Sequence, residues 1–263
     1  MSFHVREVVD KFWKDRHFQL SINISIKNKF LFVSNSKCAS STIKYYLQKK
    51  EFEGSYFDVE DIKDVDDKKK SPLISPFQLD EAALGKALFS DQFKRFAFVR
   101  DPYARVAANY LYKIIKVPGS APAREFRRLS GKSGEISFLD FVEFICSQKD
   151  KYMNPHWKPL SSCMMMPDVK YDFIGKVENL REDLVSLGKV IYGEGGYEID
   201  GLFDAAGRPL VGDPSGSIAP CNNPLNYQHD HRDNWAKLYC QRSIDLVGEK
   251  YRQDFDGFGY ERM

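Results

Sequence analysis

The stretch Phe30-Leu-Phe-Val-Ser-Asn-Ser-Lys-Cys-Ala-Ser-Ser-Thr-Ile-Lys-Tyr-Tyr-Leu47 constrains this chain most. Phe30 to Val33 is a short apolar run suited to a strand buried on both faces. From about Ser40 the period changes, and Ile43, Tyr46 and Leu47 fall on one helical stripe. Between them lie small and polar residues and a single lysine, Lys37. A strand–loop–helix turn of this kind gathers backbone N–H groups, hydroxyls and an ammonium at one spot, which is an anion site, most naturally for phosphate. The spacing differs from the nucleotide P-loop, in which two glycines precede the lysine and the hydroxyl follows it directly. Here no glycine is present, and Lys37 comes before the Ser40-Ser41-Thr42 run. Two readings fit the stretch taken alone: an anion site, or a Ser/Thr helix cap beside a solvated lysine.

A second stretch, Arg95-Phe-Ala-Phe-Val-Arg-Asp-Pro-Tyr-Ala-Arg-Val-Ala-Ala-Asn-Tyr110, is another buried strand running into Arg100-Asp101-Pro102. Asp101 suits a helix N-cap and Pro102 a first helical position. Arg100 therefore emerges at the carboxyl end of a strand, where ligands gather in α/β sheets. Asp101 could also be read as a magnesium-binding carboxylate, but the flanking Arg100 and Pro102 favour an anion site. Together the two stretches resemble the sulfotransferases that use 3′-phosphoadenosine-5′-phosphosulfate (PAPS). In that superfamily a loop like Lys37–Thr42 holds the 5′-phosphosulfate, and a stretch like Val99–Tyr110 holds the 3′-phosphate.

A third stretch, Asn154-Pro-His-Trp-Lys-Pro159 followed by Cys163 and Tyr171-Asp-Phe-Ile-Gly-Lys-Val-Glu178, is similar to the carbohydrate sulfotransferases of the chondroitin and HNK-1 type and their bacterial relatives. The tail Tyr251–Tyr260 is similar to that family's C-terminal signature. The resemblance implies an α/β fold: a P-loop-like, three-layer domain whose central, mostly parallel sheet is flanked by helices. It also implies PAPS as sulfuryl donor, no metal, and a carbohydrate or glycoconjugate acceptor. On this reading Lys37 is catalytic, and Lys37, Cys38, Ala39, Ser40, Ser41, Thr42 and Arg100 bind the cofactor. The family pattern has a serine where this chain has Ala108, and Asn109 beside it is the candidate substitute. Two rival readings are a P-loop-type kinase and a non-catalytic nucleotide- or glycan-binding relative.

Length and composition fit one large domain over 1–263: 263 residues, 43% hydrophobic and 29% charged. A net charge of +2 gives no case for nucleic-acid binding. No apolar run approaches the length of a membrane span, so no integral membrane segment is expected. Five cysteines form no Cys-x-x-Cys pair, which points to free thiols and a cytoplasmic location. A Golgi-type catalytic domain without its anchor is the alternative. The Golgi relatives' Cys-x-x-Cys has Cys163 and Met166 at its two positions here.

Along the chain, 3–16 reads as an amphipathic helix and 18–27 as a half-buried edge strand of strict alternation. Residues 54–76 read as a charged loop with a little helix, and 79–89 as a helix. Residues 117–133 read as loop, in which Arg124, Arg127, Arg128 and Lys132 either meet an anionic saccharide or are simply solvated. His156 lies in a proline-bracketed loop next to Trp157, whose ring suits stacking against a sugar; Trp157, Arg124 and Arg127 are the further candidate acceptor contacts. An unperturbed imidazole pKa of about 6.5 suits His156 to accept a hydroxyl proton; acceptor contact and a structural role are its alternatives. Residues 193–224, rich in glycine and proline, read as a long lid-like loop. In the polar cluster after it Arg232 is the candidate for a cofactor phosphate, and a final helix spans about 235–251. The expected core includes Leu31, Val33, Phe96, Phe98, Phe173 and Ile174.

Overall fold

A computed structural model describes residues 3–14, 16–59, 62–193, 199, 202 and 235–263. The chain divides into two compact units, with boundaries at Val99/Arg100 and Cys163/Met164. The first unit contains the sheet. Helices α1 (Phe3–Lys14) and α2 (Arg16–Ser21) lead into β1 (Ile22–Ser25), then β2 (Phe30–Val33), α3 (Ser40–Phe52), α4 (Glu81–Phe89) and β3 (Lys94–Val99). After the chain has passed through the second unit, β4 (Phe173–Lys176) and α9 (Leu180–Tyr192) complete the first; α5 to α8 belong to the second. The strand order is β1-β2-β3-β4; β1 pairs antiparallel with β2, whereas β2–β3 and β3–β4 are parallel.

Every residue of β2 and the last five of β3 are buried. Successive strand residues point to opposite faces, so both faces of the sheet are covered. Phe30, Phe32 and Phe96 stack along one face, with the Phe32 and Phe96 ring centroids 5.1 Å apart. Leu31, Val33, Phe96 and Phe98 are in the core as expected, but Phe173 and Ile174 are only half-buried. Their strand, β4, is at the sheet's edge among the described residues, where one side has no neighbouring strand to exclude water. Gly175 lies opposite Phe98, and a Cβ there would collide with the Phe98 ring. Asp172 ties β4 to β3 through the Arg95 backbone N–H at 2.8 Å and the Arg95 guanidinium at 3.0 Å.

The strand expected over 18–27 is helical up to Ser21, and only Ile22–Ser25 pairs in the sheet. Alternation is a weak guide over so few residues: Phe18 is buried because α2 packs against α1, while Leu20 is exposed. The charged stretch 54–76 holds a 3₁₀ turn, Ile62–Asp66, and a bridge from Ile74 to Ile24.

The second unit is helical: α5 (Pro102–Asn109), a π-helical turn Tyr110–Lys116, α6 (Ala121–Ser130), α7 (Phe138–Ser147), α8 (Leu160–Cys163), α10 (Gln241–Lys250) and α11 (Arg252–Phe258). Its core is aromatic, with Tyr103, Tyr110, Phe126, Phe138, Phe141, Trp157, Tyr251 and Phe255 all buried. The loop expected over 117–133 is instead helical over Ala121–Ser130. Ser120 caps that helix, Pro122 sits in its first turn and Gly131 closes it at φ 69°. The proline and glycine that suggested a loop are thus its boundary residues. The expected final helix is broken by a new cap at Cys240 and by Tyr251 between α10 and α11. Among the described residues no helix is long and apolar enough to cross a membrane. Most of 193–224, and Arg232, lie outside the described residues.

Candidate active site

In the first unit, β2 feeds a tight turn. Ser34 N–H donates to Ser21 O at 2.8 Å, and the buried Asn35 side chain donates to Phe98 O at 3.1 Å. Asn35 therefore pins the turn to the end of the neighbouring parallel strand, a role the sequence did not signal. Lys37 and Ala39 both have left-handed backbones, at φ 64° and 54°. Such conformations cost a residue with a Cβ about 1–2 kcal/mol each and persist where the surroundings enforce them. Between them Cys38 is buried, with its Sγ 3.6 Å from Ser36 O.

The N-cap of α3 is Ala39, which has no side chain to cap with. Ser40, Ser41 and Thr42 therefore occupy the first turn, and none of them is the cap that the alternative reading supposed. A 13-residue helix presents its first-turn amides and the positive end of its dipole there, with the half-buried Lys37 at the entrance. This turn has the chemistry of a site for a phosphate or sulfate ester.

In the second unit Arg100 follows directly on β3 and is half-buried. Asp101 caps α5 by accepting from Ala104 N–H at 2.8 Å, and Pro102 occupies its first turn, as expected. Ala108 is partly exposed, but Asn109 is fully buried and its amide donates back to Arg105 O at 3.0 Å. The Asn109 amide nitrogen is thus turned into its own helix.

His156 lies in a loop held from several directions. The buried Arg105 donates to Lys158 O at 2.9 Å, His156 O at 3.0 Å and Pro155 O at 3.4 Å. Tyr251 Oη donates to Trp157 O. Asp254 accepts from Leu160 N–H at 2.6 Å and from Ser161 N–H and Oγ at 2.8 and 2.7 Å. Burial pushes the Asp254 carboxyl up, against the pull of these hydrogen bonds and of the Arg105 charge. The arginine of the second motif and the C-terminal signature therefore act on the third motif, a link visible only once the chain is folded. His156 itself is half-buried, with Nδ1 2.7 Å from Asn154 Oδ1.

Trp157, the expected sugar platform, lies in the core of its unit. It is 1% exposed and packs edge-on against Phe141 at 5.5 Å. Arg124 donates to Gly119 O and Arg127 to Gly134 O at 2.7 Å, both on loops flanking α6. Burial raises the Cys163 thiol to about 11, so it is not a thiolate at neutral pH.

A mostly parallel sheet with a lysine-bearing turn after its first parallel strand, leading into a helix whose N-cap is Ala39, defines an α/β protein of the P-loop-like class. Residues 21–261 match the profile of the sulfotransferase family, and the chain belongs to that family. It is 30% identical to mouse (Mus musculus) carbohydrate sulfotransferase 14 over 98 residues, which are 34% of this chain and 26% of that protein. It is 27% identical to Xenopus laevis carbohydrate sulfotransferase 12 over 116 residues, 36% of this chain and 28% of the other. Rattus norvegicus carbohydrate sulfotransferase 11 is 27% identical over 107 residues, 35% and 30% of the two chains. The matched stretches thus span less than a third of these relatives' own lengths. No solved structure matches the chain.

Proposed function

We propose that the chain transfers a sulfuryl group from PAPS to a hydroxyl, or second to that an amine, of a carbohydrate or glycoconjugate. The observation that carries this reading is the uncapped first turn of α3, entered through Lys37 in a left-handed conformation. Family membership and the carbohydrate sulfotransferases among the similar proteins support the reaction class and the acceptor class.

The donor supplies an activated sulfuryl group on a phosphate leaving group. The first-turn amides and hydroxyls of Ser40, Ser41 and Thr42 hold its 5′-phosphate. Lys37 neutralises the charge that builds on the bridging oxygen as the S–O bond breaks. Arg100 holds the 3′-phosphate, and His156 accepts the proton of the acceptor hydroxyl. Neutralisation by lysine and amides requires no metal.

Lys37→Ala should lower kcat by roughly 10²–10³-fold, the usual cost of losing one donor to the transition state. Near-wild-type turnover in that variant would exclude the role. Thermal shifts with 3′-phosphoadenosine-5′-phosphate, ADP and ATP test the donor: the first, at about 100 times its Kd, should add about 2.7 kcal/mol. Equal stabilisation by ATP, with magnesium-dependent turnover, would make the chain a kinase.

A further inference from the structure

Asn154 connects two functional groups. Its Oδ1 accepts the His156 backbone N–H at 3.0 Å and faces His156 Nδ1 at 2.7 Å. Its Nδ2 donates to Glu125 Oε2 on α6. A carboxylate only accepts and a backbone N–H only donates, so Glu125 and the His156 N–H together fix which end of the Asn154 amide is which: the NH₂ faces Glu125 and the oxygen faces the imidazole. An amide oxygen also only accepts, so a neutral His156 must carry its proton on Nδ1. The lone pair is then on Nε2.

We propose that Glu125 and Asn154 are positioning residues that hold His156 in the Nδ1-protonated tautomer, leaving Nε2 as the basic atom. Neither touches a reacting group; both act through the ring. The proposal rests on the reading of His156 as the base in the proposed reaction. There the acceptor oxygen bonds to sulfur, its proton passes to Nε2, and the bond from sulfur to the phosphate oxygen breaks. The resulting imidazolium keeps its Nδ1–H on Asn154 Oδ1, and the Glu125 charge beyond the amide favours it. The proton later leaves to solvent, and the products are the sulfated acceptor and 3′-phosphoadenosine-5′-phosphate. Arg105, holding the carbonyls of residues 155, 156 and 158, fixes the backbone of the same loop.

The test is ¹⁵N NMR of the histidine rings in the full chain at alkaline pH, where neutral imidazole predominates, with His156 assigned by the spectrum of His156→Gln. Wild-type His156 should show a protonated Nδ1 and an unprotonated Nε2. A ring protonated on Nε2 overturns the proposal before any variant is made. In Asn154→Ala the ring loses the acceptor that fixes its Nδ1–H, so it should become a mixture of tautomers, whereas in Glu125→Gln the His156 backbone N–H still orders the Asn154 amide. An unchanged single tautomer in Asn154→Ala overturns the role of Asn154. Turnover is read separately, with labelled donor and unsulfated chondroitin as the acceptor probe. Asn154→Ala and Glu125→Gln should each lose roughly 10–100-fold in kcat with little change in KM, as for other partners that orient a reactive histidine, and wild-type turnover in Glu125→Gln overturns the role of Glu125. If the tautomer changes and turnover does not, the positioning stands and His156 is not the base.

Discussion

In the proposed reaction Arg100 is the residue that would separate a PAPS site from an ATP site, because only the former needs a cation for a 3′-phosphate. A guanidinium holds phosphate in two-pronged fashion. Arg100→Ala should therefore weaken 3′-phosphoadenosine-5′-phosphate by about 1.5–3 kcal/mol, the range for a hydrogen bond to a charged group. Binding of 5′-AMP, which lacks the 3′ group, should change much less. Calorimetry on both nucleotides decides it, and equal losses would assign Arg100 to the fold or to the other phosphate. Trp157 carries a different kind of prediction. Its indole is packed among aromatic rings, and its buried Nε1–H has no hydrogen-bond partner among the described residues. Trp157→Ala should cost about 3–5 kcal/mol in urea unfolding, as for other large-to-small core changes. Trp157→Phe should cost far less, since it gives up an N–H that is already unsatisfied. A Trp157→Phe variant that keeps its stability but loses acceptor affinity would return the indole to the acceptor site. The place of Lys37 in the turn before α3 was legible because it is a matter of local spacing. Trp157 was not, because an aromatic next to a histidine looks the same whether it meets sugar or core.

At the scale of elements, local patterns were readable and long-range ones were not. Strands β2 and β3 and the Asp101 cap of α5 all follow from residues within a few positions of one another. Helix α6 was missed although both its boundary signals were present, because Pro122 and Gly131 were weighed as breakers and not as termini. The C-terminal signature could be recognised but not interpreted. Its Asp254 caps α8 from 94 residues away, a separation that no periodicity reports. That interaction makes a testable element. Asp254→Ala strands two backbone N–H groups and the Ser161 hydroxyl in a buried place, and each such loss costs about 1–3 kcal/mol. The expected total, after relaxation, is about 2–4 kcal/mol. Hydrogen exchange should show α8 and the loop around His156 losing protection first, and unchanged protection there would refute the clamp.

At the scale of the whole molecule, the charged stretch between the two anion-binding motifs is tied into the fold through Lys68. Its ammonium donates to Ile22 O at 3.3 Å and Asn23 Oδ1 at 3.0 Å, on the strand that pairs with β2 just before the turn. Burial, and then the nearby Lys44 charge, lower its pKa to about 8, while Asp66 pulls the other way. In the unfolded chain the same group titrates near 10.4. Between those values the unfolded state binds more protons than the folded one, so stability contributed by Lys68 rises with pH through that window. Below about pH 8 the folded protein carries a desolvated ammonium at full cost, and above about 10.4 neither state is charged. Burial also raises tyrosines such as Tyr46, to about 12; these ionise first in the unfolded chain and lower stability at the alkaline end. A direct pH profile would mix the two effects, so the informative quantity is a difference. Wild type should gain on the order of 2–3 kcal/mol relative to Lys68→Met between pH 8 and about 10.4, at about 1.4 kcal/mol per pKa unit. Urea unfolding followed by circular dichroism at several pH values measures it. A pH-independent gap between the two proteins would mean that the Lys68 ammonium is as well solvated in the fold as in the unfolded chain, and that its contacts to Ile22 and Asn23 do not bury it.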